Sequence, residues 1–320
     1  MNFNDLNILV IGDLMVDEYL IGKSNRLSPE APVPVICEYN TLIYPGGAAN
    51  VALNLSKLGV KANCAGIVGN DKYGNQLINI LKENNIDTSS IMTIDNYKTI
   101  IKKRIISNNK QICRIDIEEK NKNNFFEKII GSINNKFDLV IISDYDKNLI
   151  NKKGMKLILE KSISKKGFLI DPKKIDFSIY KNYSSLPLIV TPNTTELEQV
   201  SKQKINDNEK IKIISKTLID ENNFEGVLTT CGEKGMVYTG KNNLSHIVDA
   251  HNIDKIDVTG AGDTVIAAFA AFYASTSNIK KSLFFANLAA AKSVSLMGTA
   301  SPSIEEIIDF NKKYFNENFR

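Results

Sequence analysis

The chain has 320 residues, 43% hydrophobic and 24% charged; these are the proportions of a globular protein and exclude disordered and collagen-like classes. At this length it buries roughly three quarters of its unfolded surface and needs no disulfide or metal staple. Forty bases against 36 acids leave a net charge of +4, spread along the chain. Only four bases are arginine (Arg26, Arg104, Arg114, Arg320), which speaks against a nucleic-acid surface.

No run reaches the roughly 18 apolar residues of a membrane helix. The N-terminus MNFNDLNILVIGD is acidic where a signal peptide would be basic, so a secreted or membrane protein is not expected. Cys37, Cys64, Cys113 and Cys231 form no CxxC pair, which points to reduced thiols in the cytoplasm. With His246 and His251 as the only histidines, a His-based metal or catalytic cluster is not expected, and both read as surface or packing residues.

The apolar run Leu6 to Ile11, ended by Gly12-Asp13, predicts a buried strand. Segment 14–45 carries Pro29, Pro32, Pro34 and the alternation VPVICEY, and predicts an excursion with an edge strand or two. Gly46-Gly47 opens a helical pattern that stops at Gly59; a strand follows over Cys64 to Val68 and a helix over Asp71 to Asn84. Residues 99–118 read as a hairpin around the Asn108-Asn109 turn. Strands are then predicted at Leu139–Ser143, Phe168–Ile170, Leu188–Thr191 and Gly226–Thr230, with helices at Lys152–Ser164 and near 208–221. The last third reads as helices 261–275, 279–297 and 303–314, whose phenylalanines belong to the core. This alternation predicts a doubly wound, mostly parallel sheet flanked by helices, with segments 14–45 and 95–118 as a small β lid.

In such a sheet, ligands sit beyond the carboxyl ends of the strands, so the residues after each strand are the candidates. Asp257-Val258-Thr259-Gly260-Ala261-Gly262-Asp263-Thr264 precedes an apolar helix. Its small residues and the helix N-terminus suit an anion, and Asp263 could be a general base beside it; alternatively this is a Gly-rich turn with Asp263 as a capping residue. There is no Walker loop and no GxGxxG after a first strand. Asn193-Thr194-Thr195-Glu196 reads as a capping box, or as a site where Glu196 organises magnesium directly or through water. Gly46, Gly47 and Asn50 suit close approach of sugar hydroxyls or simple helix packing; Asp13 suits a pair of hydroxyls or a turn. Lys102, Arg104, Arg114 and Lys173 are candidate phosphate ligands, with a solvated face as the plain alternative. Thr230-Cys231-Gly232-Glu233-Lys234-Gly235 suits a loop over a nucleotide or a hairpin turn.

In this order, GGAAN, TPNTTE, TTCGEKG and DVTGAGDT resemble the ribokinase, or PfkB, family of carbohydrate kinases over essentially the whole chain. RLSPEAPVPV, KKRIISNNKQICRIDIEE, the stretch DPKKIDFSIY and FFANLAAA look like its heptose 7-phosphate kinase branch. The resemblance implies one ribokinase-like domain over 1–320. It implies ATP-dependent phosphorylation of D-glycero-β-D-manno-heptose 7-phosphate at C1, in ADP-heptose and lipopolysaccharide core synthesis. It also implies a Mg²⁺ requirement, a cytoplasmic homodimer joined through the lids, no nucleic-acid or membrane partner, and the transferase on another polypeptide. Asp263 would be the catalytic base, with the amides of Gly260, Ala261 and Gly262 holding developing charge. Asn193, Thr194, Thr195, Glu196, Thr230, Gly232, Gly235 and Asn287 would line the nucleotide. Asp13, Gly46, Gly47 and Asn50 would hold sugar hydroxyls, and Lys102, Arg104 and Lys173 the 7-phosphate. Two departures stand out: Asp146 and Asn148 occupy positions that usually carry glycine, and the turn Ser107-Asn108-Asn109 lacks an arginine of some relatives. Another PfkB-type sugar or nucleoside kinase, or a non-catalytic sugar-phosphate-binding protein of the same fold, are the alternative readings.

Overall fold

The computed structural model describes residues 3–108, 110–118, 125–161, 163–254, 256–296 and 298–315. Asn109 of the expected hairpin turn, Ser162 and the expected helix end at Met297 lie outside them.

The strands are β1 (Asn7–Gly12), β2 (Leu14–Leu27), β3 (Pro34–Gly47), β4 (Lys61–Gly69), β5 (Asp87–Ile94), β6 (Ile100–Ser107), β7 (Lys110–Ile117), β8 (Leu139–Ser143), β9 (Phe168–Asp171), β10 (Leu188–Val190), β11 (Gly226–Thr230), β12 (Met236–Gly240) and β13 (Ser245–Val248). The α-helices are α1 (Ala48–Lys57), α2 (Lys72–Glu83), α3 (Phe125–Ser132), α4 (Lys152–Glu160), α5 (Thr194–Ser201), α6 (Asn208–Asn222), α7 (Ala261–Thr276), α8 (Ile279–Val294) and α9 (Ile304–Tyr314).

Nine strands form one sheet in the order β13-β12-β11-β10-β9-β8-β1-β4-β5. The seven strands from β5 to β11 run parallel, and β12 and β13 are antiparallel at one edge. The central strands read as unbroken apolar runs because both faces are covered. In β1, Ile8 and Val10 face one core beside Phe269, Phe285 and Leu288 of α7 and α8. Leu9 and Ile11 face the other, beside Phe126, Ile158 and Ile214 of α3, α4 and α6. β8 divides in the same way, with Leu139 and Ile141 on the first face and Val140 and Ile142 on the second; the alternation is the two-residue period of a strand. α7 is buried from Asp263 to Ala274, which is why its sequence is apolar all round.

The other four strands form a separate sheet, β3-β2-β6-β7. β2 is buried from Leu14 to Tyr19 where it leaves the main sheet and becomes exposed towards Leu27. β7 is exposed along its whole length. Sequence reading placed α2 within its caps: Asp71 accepts from the Gly74 N–H as N-cap, and Asn84 is the C-cap. It did not resolve β5, α3, β12 or β13, and α4 ends at Glu160, short of the expected Ser164.

The strand order turns at β1, whose neighbours are β4 on one side and β8 on the other. The chain can open a crevice there. Asp13, Asp144, Asp171, Asn193 and Thr230 all stand at or just past carboxyl ends of β1, β8, β9, β10 and β11. Gly12 is packed at this crossing: a Cβ there would lie 2.0 Å from the Ser143 carbonyl oxygen, a backbone atom of the neighbouring strand. Gly12→Ala is therefore expected to cost roughly 1–3 kcal/mol, the scale of overpacking a tight interior, read from denaturant unfolding; unchanged stability would mean that the two strands can part locally.

Candidate active site

Asp263 sits in the first turn of α7 and is 5% exposed. It does not cap its own helix: the N-cap is Gly260, at φ 79°, with no side-chain cap. Its carboxylate is instead held from two other elements. Asn50 Nδ2, on α1, donates to Oδ2 at 2.7 Å. Tyr145 OH, from the loop after β8, donates to Oδ1 at 2.9 Å. Burial pushes the carboxyl up to about 6, the two donors pull it down, and the Asp17 carboxylate adds a smaller upward push. A base titrating there is ionised at neutral pH yet basic enough to take a proton.

The backbone at this turn is arranged for an anion. The Ala261 N–H reaches the Val258 carbonyl at 3.3 Å. The N–H groups of Gly262 and Asp263 precede the first i→i−4 bond, which Thr264 makes to Gly260 at 3.0 Å; they are the free donors of the helix start. Gly260 is in the left-handed region, and a Cβ there would stand 2.9 Å from Asn50 Nδ2, so a side chain would push against the residue that holds the base.

Two cavities meet at this turn. The first, of 410 Å³, is walled by charged groups: Asp17, Lys102, Arg104 and Arg114 from the lid face Asp144, Asp171, Lys173 and Glu196 from the strand ends, with Asp263 between them. The second, of 430 Å³, is mainly apolar, with Met236, Val258, Val265 and Val294 in its wall and Asn287 at its side. Asn193, Thr230 and Gly262 line both. A planar heterocycle suits the apolar cleft and a polyhydroxylated acceptor the charged one, with an anion passing between them over the start of α7.

On the acceptor side, Asp13 is 3% exposed and accepts on Oδ2 from the N–H of Tyr145 at 2.8 Å and of Lys147 at 3.3 Å. Burial, with help from the Asp144 carboxylate, pushes its carboxyl up to about 7. Its own carbonyl accepts from Ala48 at 3.1 Å, at the start of α1. Gly46 packs on Asp17 of the lid and Gly47 on the Asp13 carbonyl; Gly47 lines the charged cavity, and Asp13, Gly46 and Asn50 each adjoin a residue that does, Tyr145, Asp17 and Asp263 in turn.

The lid bases are already paired, in two cross-strand rows: Asp17, Lys102 and Asp116 in one, Tyr19, Arg104 and Arg114 in the next. Arg104 forms an ion pair with Asp17 and lies 5.1 Å over the Tyr19 ring. Asp116 bridges Lys102 at 3.4 Å and Arg114 at 2.8 Å. Across the cavity, Lys173 pairs with Glu196 at 2.7 Å. The three expected phosphate ligands thus line one cavity but do not cluster: Lys102 and Arg104 are on the lid, Lys173 on the sheet.

Both readings of Asn193 and Glu196 hold together. The capping box is present: Glu196 N–H donates to Asn193 Oδ1, and Asn193 N–H donates to Glu196 Oε2, each at 2.9 Å. With Lys173 on its other oxygen, Glu196 is engaged on both. Among the described residues no three His, Cys, Asp or Glu side chains converge to hold a metal. This donor set fits a hydrated Mg²⁺ brought by phosphates, which keeps its waters, with Glu196 beside it.

Thr194 Oγ1 donates to the Thr230 carbonyl at 3.2 Å, tying α5 to the end of β11, and Thr195 is exposed. Thr230 to Gly235 is a hairpin turn between β11 and β12, closed by Cys231 N–H on the Gly235 carbonyl at 2.8 Å; Gly232 and Gly235 line the apolar cleft. Asn287 donates to the Asp249 carbonyl at 2.9 Å and so braces the loop on the far side of that cleft. His251 lines it too, stacked on Phe315 at 4.0 Å.

Sequence reading passed over Asp17, Tyr145 and Asp171 as site residues. Each follows or precedes a recognised motif by a few positions, but their convergence on Asp263 depends on the fold. Burial pushes the Asp171 carboxyl well up, with Asp263 and Glu196 adding to it. The N-cap is separable from any ligand role: Asn193→Ala is expected to cost about 1 kcal/mol of stability, as lost caps do, measured by denaturant unfolding without ligand. No loss would mean that the capping box is idle.

Residues 5–307 match the pfkB family carbohydrate kinase pattern. The chain is 40% identical over 312 residues to "Bifunctional protein HldE" of Helicobacter pylori (strain Shi470), covering 94% of this chain and 65% of that protein. It is 35% identical to the protein of the same name from Marinomonas sp. (strain MWYL1), covering 100% of this chain and 67% of that one. The chain thus spans about two thirds of the length of these relatives. Among solved structures, a Thermotoga maritima ribokinase superposes with a TM-score of 0.74 at 22% identity, covering 96% of this chain and 99% of that one. The Escherichia coli phosphofructokinase-2 in complex with potassium gives 0.78 at 15%, with the same coverage of both chains; at these identities the likeness speaks for the fold. With a buried carboxylate at a helix start between a charged and an apolar cavity, and with this match over nearly its whole length, the chain belongs to the PfkB family of carbohydrate kinases.

Proposed function

We propose that this sugar kinase transfers the γ-phosphoryl group of ATP to the C1 hydroxyl of D-glycero-β-D-manno-heptose 7-phosphate, giving the 1,7-bisphosphate for ADP-heptose and lipopolysaccharide core synthesis. The observation that carries the phosphotransfer is Asp263, buried beside free helix N–H groups where the two cavities join. The heptose is supported by the lid sequence RLSPEAPVPV, by the stretch KKRIISNNKQICRIDIEE and by the relatives named HldE.

In this reading Asp263 takes the proton of the acceptor hydroxyl as its oxygen attacks the γ-phosphorus, and the bond to the bridging oxygen of ADP breaks. The N–H groups of Gly262 and Asp263 face the charge that builds on the transferred group. Asn193, Thr230, Gly232, Gly235 and Asn287 border the nucleotide. Glu196 would hold a Mg²⁺ ion through its waters, and that ion would supply charge neutralisation on the phosphates. Asp13 and Asp17 receive sugar hydroxyls, with Asp17 held by Arg104. Lys102 and Arg114 meet the 7-phosphate by exchanging Asp116 for it, and Lys173 serves through Glu196. The second sheet acts as a lid on one kinase unit over 1–320. Its exposed Ile115 and Ile117, on one face of β7, suit a homodimer of lids, and a cytoplasmic location fits the reduced cysteines.

One observation favours a second acceptor class. Asp116 already neutralises Lys102 and Arg114, as it would in a kinase for an unphosphorylated sugar. A panel separates the two: ADP release with Mg-ATP and D-glycero-D-manno-heptose 7-phosphate, sedoheptulose 7-phosphate, fructose 6-phosphate, ribose or adenosine. Turnover confined to the manno-heptose phosphate is expected; turnover with ribose or adenosine instead would remove the heptose reading and keep the kinase. With the active sugar, Asp263→Asn should cut kcat by at least about a hundredfold, the scale of a lost general base. Arg114→Ala should raise KM for the sugar phosphate about tenfold while KM for ATP stays put, as for a lost charged hydrogen bond of about 1.4 kcal/mol.

A further inference from the structure

We propose that Tyr145 is a positioning residue for the base: its phenol fixes the aim and charge of Asp263, and its peptide N–H ties that hold to Asp13 on the acceptor side. The inference rests on the kinase reading above and goes beyond it, since it gives the loop after β8 a part in the proton transfer. Tyr145 makes both bonds at once, OH to Asp263 Oδ1 at 2.9 Å and N–H to Asp13 Oδ2 at 2.8 Å. The loop that carries it is pinned on both sides. Lys147 N–H also reaches Asp13, at 3.3 Å, Asp146 N–H reaches Asp144 Oδ1 at 2.8 Å, and Lys174 Nζ reaches Asp146 at 2.8 Å.

The groups facing Asp263 come from four places. Asn50 on α1 and Tyr145 donate to it. Asp17 on β2, paired with Arg104 of β6, opposes its charge, and Asp263 in turn helps to push up the Asp171 carboxyl at the end of β9. Burial and the Asp263 carboxylate itself keep the phenol well above its ordinary range, so Tyr145 stays a donor at any working pH. Without that donor, Asn50 alone balances burial and the Asp17 carboxylate. The sign follows: a hydrogen bond to the charged form lowers a carboxyl's pKa, and losing it raises that value. Transfer needs Asp263 ionised, so the acid limb moves to higher pH.

Tyr145→Phe keeps the ring and removes the bond. Two readouts apply, the pH profile of kcat/KM for the sugar and the titration of the Asp263 carboxyl followed by ¹³C NMR, with Asp263→Asn assigning the signal. We expect both midpoints to rise by about half a unit or more, the weight of one hydrogen bond. kcat should fall most at acid pH, with KM for ATP unchanged. Midpoints that coincide with those of the wild type, in an active enzyme, overturn the proposal and leave the kinase reading standing. A wild-type chain that phosphorylates no sugar removes the kinase reading, and the catalytic role of Tyr145 with it.

Discussion

Everything at the carboxyl edge of the sheet answers to one constraint, the burial of an ionised Asp263. A carboxyl raised from 3.8 to about 6 by burial makes the folded state carry a penalty of about 3 kcal/mol once both states are ionised, at 1.36 kcal/mol per unit. The sign is set by linkage: the penalty is absent below the unfolded value, grows as pH rises from about 4 to 6, and is complete above that. Asp13, pushed up to about 7, adds a second load of the same sign. The two carboxylates therefore lower stability where the enzyme works, and the donors from α1 and the β8 loop limit that cost. α1 and α7 are accordingly joined by polar bonds as well as by packing. Asn50 holds Asp263, and one turn further along Thr264 Oγ1 donates to Asn54 Oδ1 at 2.9 Å.

The same economy governs the lid. Lys102, Arg104 and Arg114 reach into a cavity whose opposite wall is acidic, and each is met by a carboxylate of its own sheet. Arg104 is buried and takes the buried Asp17; a charge in that position left without its partner would be strongly destabilising. Lys102 and Arg114 are nearer the solvent and share Asp116, an arrangement that an incoming phosphate can replace charge for charge. Burial thus sorts the lid bases into one that shapes the site and two that are free to exchange partners.

The sequence carried the central sheet plainly, because strands covered on both faces leave apolar runs: β8 and β11 fall on the residues expected, and β1 one residue later. β5 (DTSSIMTI) was hidden by its serines and threonines, which this edge strand tolerates because none of its residues is fully buried. β12 and β13 are short and follow a turn whose sequence suits a nucleotide loop or a hairpin; it is a hairpin whose glycines also line a cleft. The motif glycines and Asp263 were legible because close approach restricts residue type locally. Asp17, Tyr145 and Asp171 were not, since an acid or a tyrosine near a strand end is ordinary until the sheet order brings it beside Asp263. The lysines and arginines were legible as a set but not by partner, as pairing depends on the register of β2, β6 and β7.

The loop after β8 shows what the positions of Asp146 and Asn148 demand of the backbone. Asp146 and Asn148, standing where glycine was the usual residue, both adopt left-handed backbone, at φ 56° and 65°. Aspartate and asparagine are the side chains that bear this conformation best. Asp146 is further held by Lys174. The path these residues take brings two N–H groups to Asp13 and the phenol to Asp263. What these contacts require of the loop is a curvature and three donors. Glycine is one way of meeting that requirement, and a short acid anchored by a lysine is another.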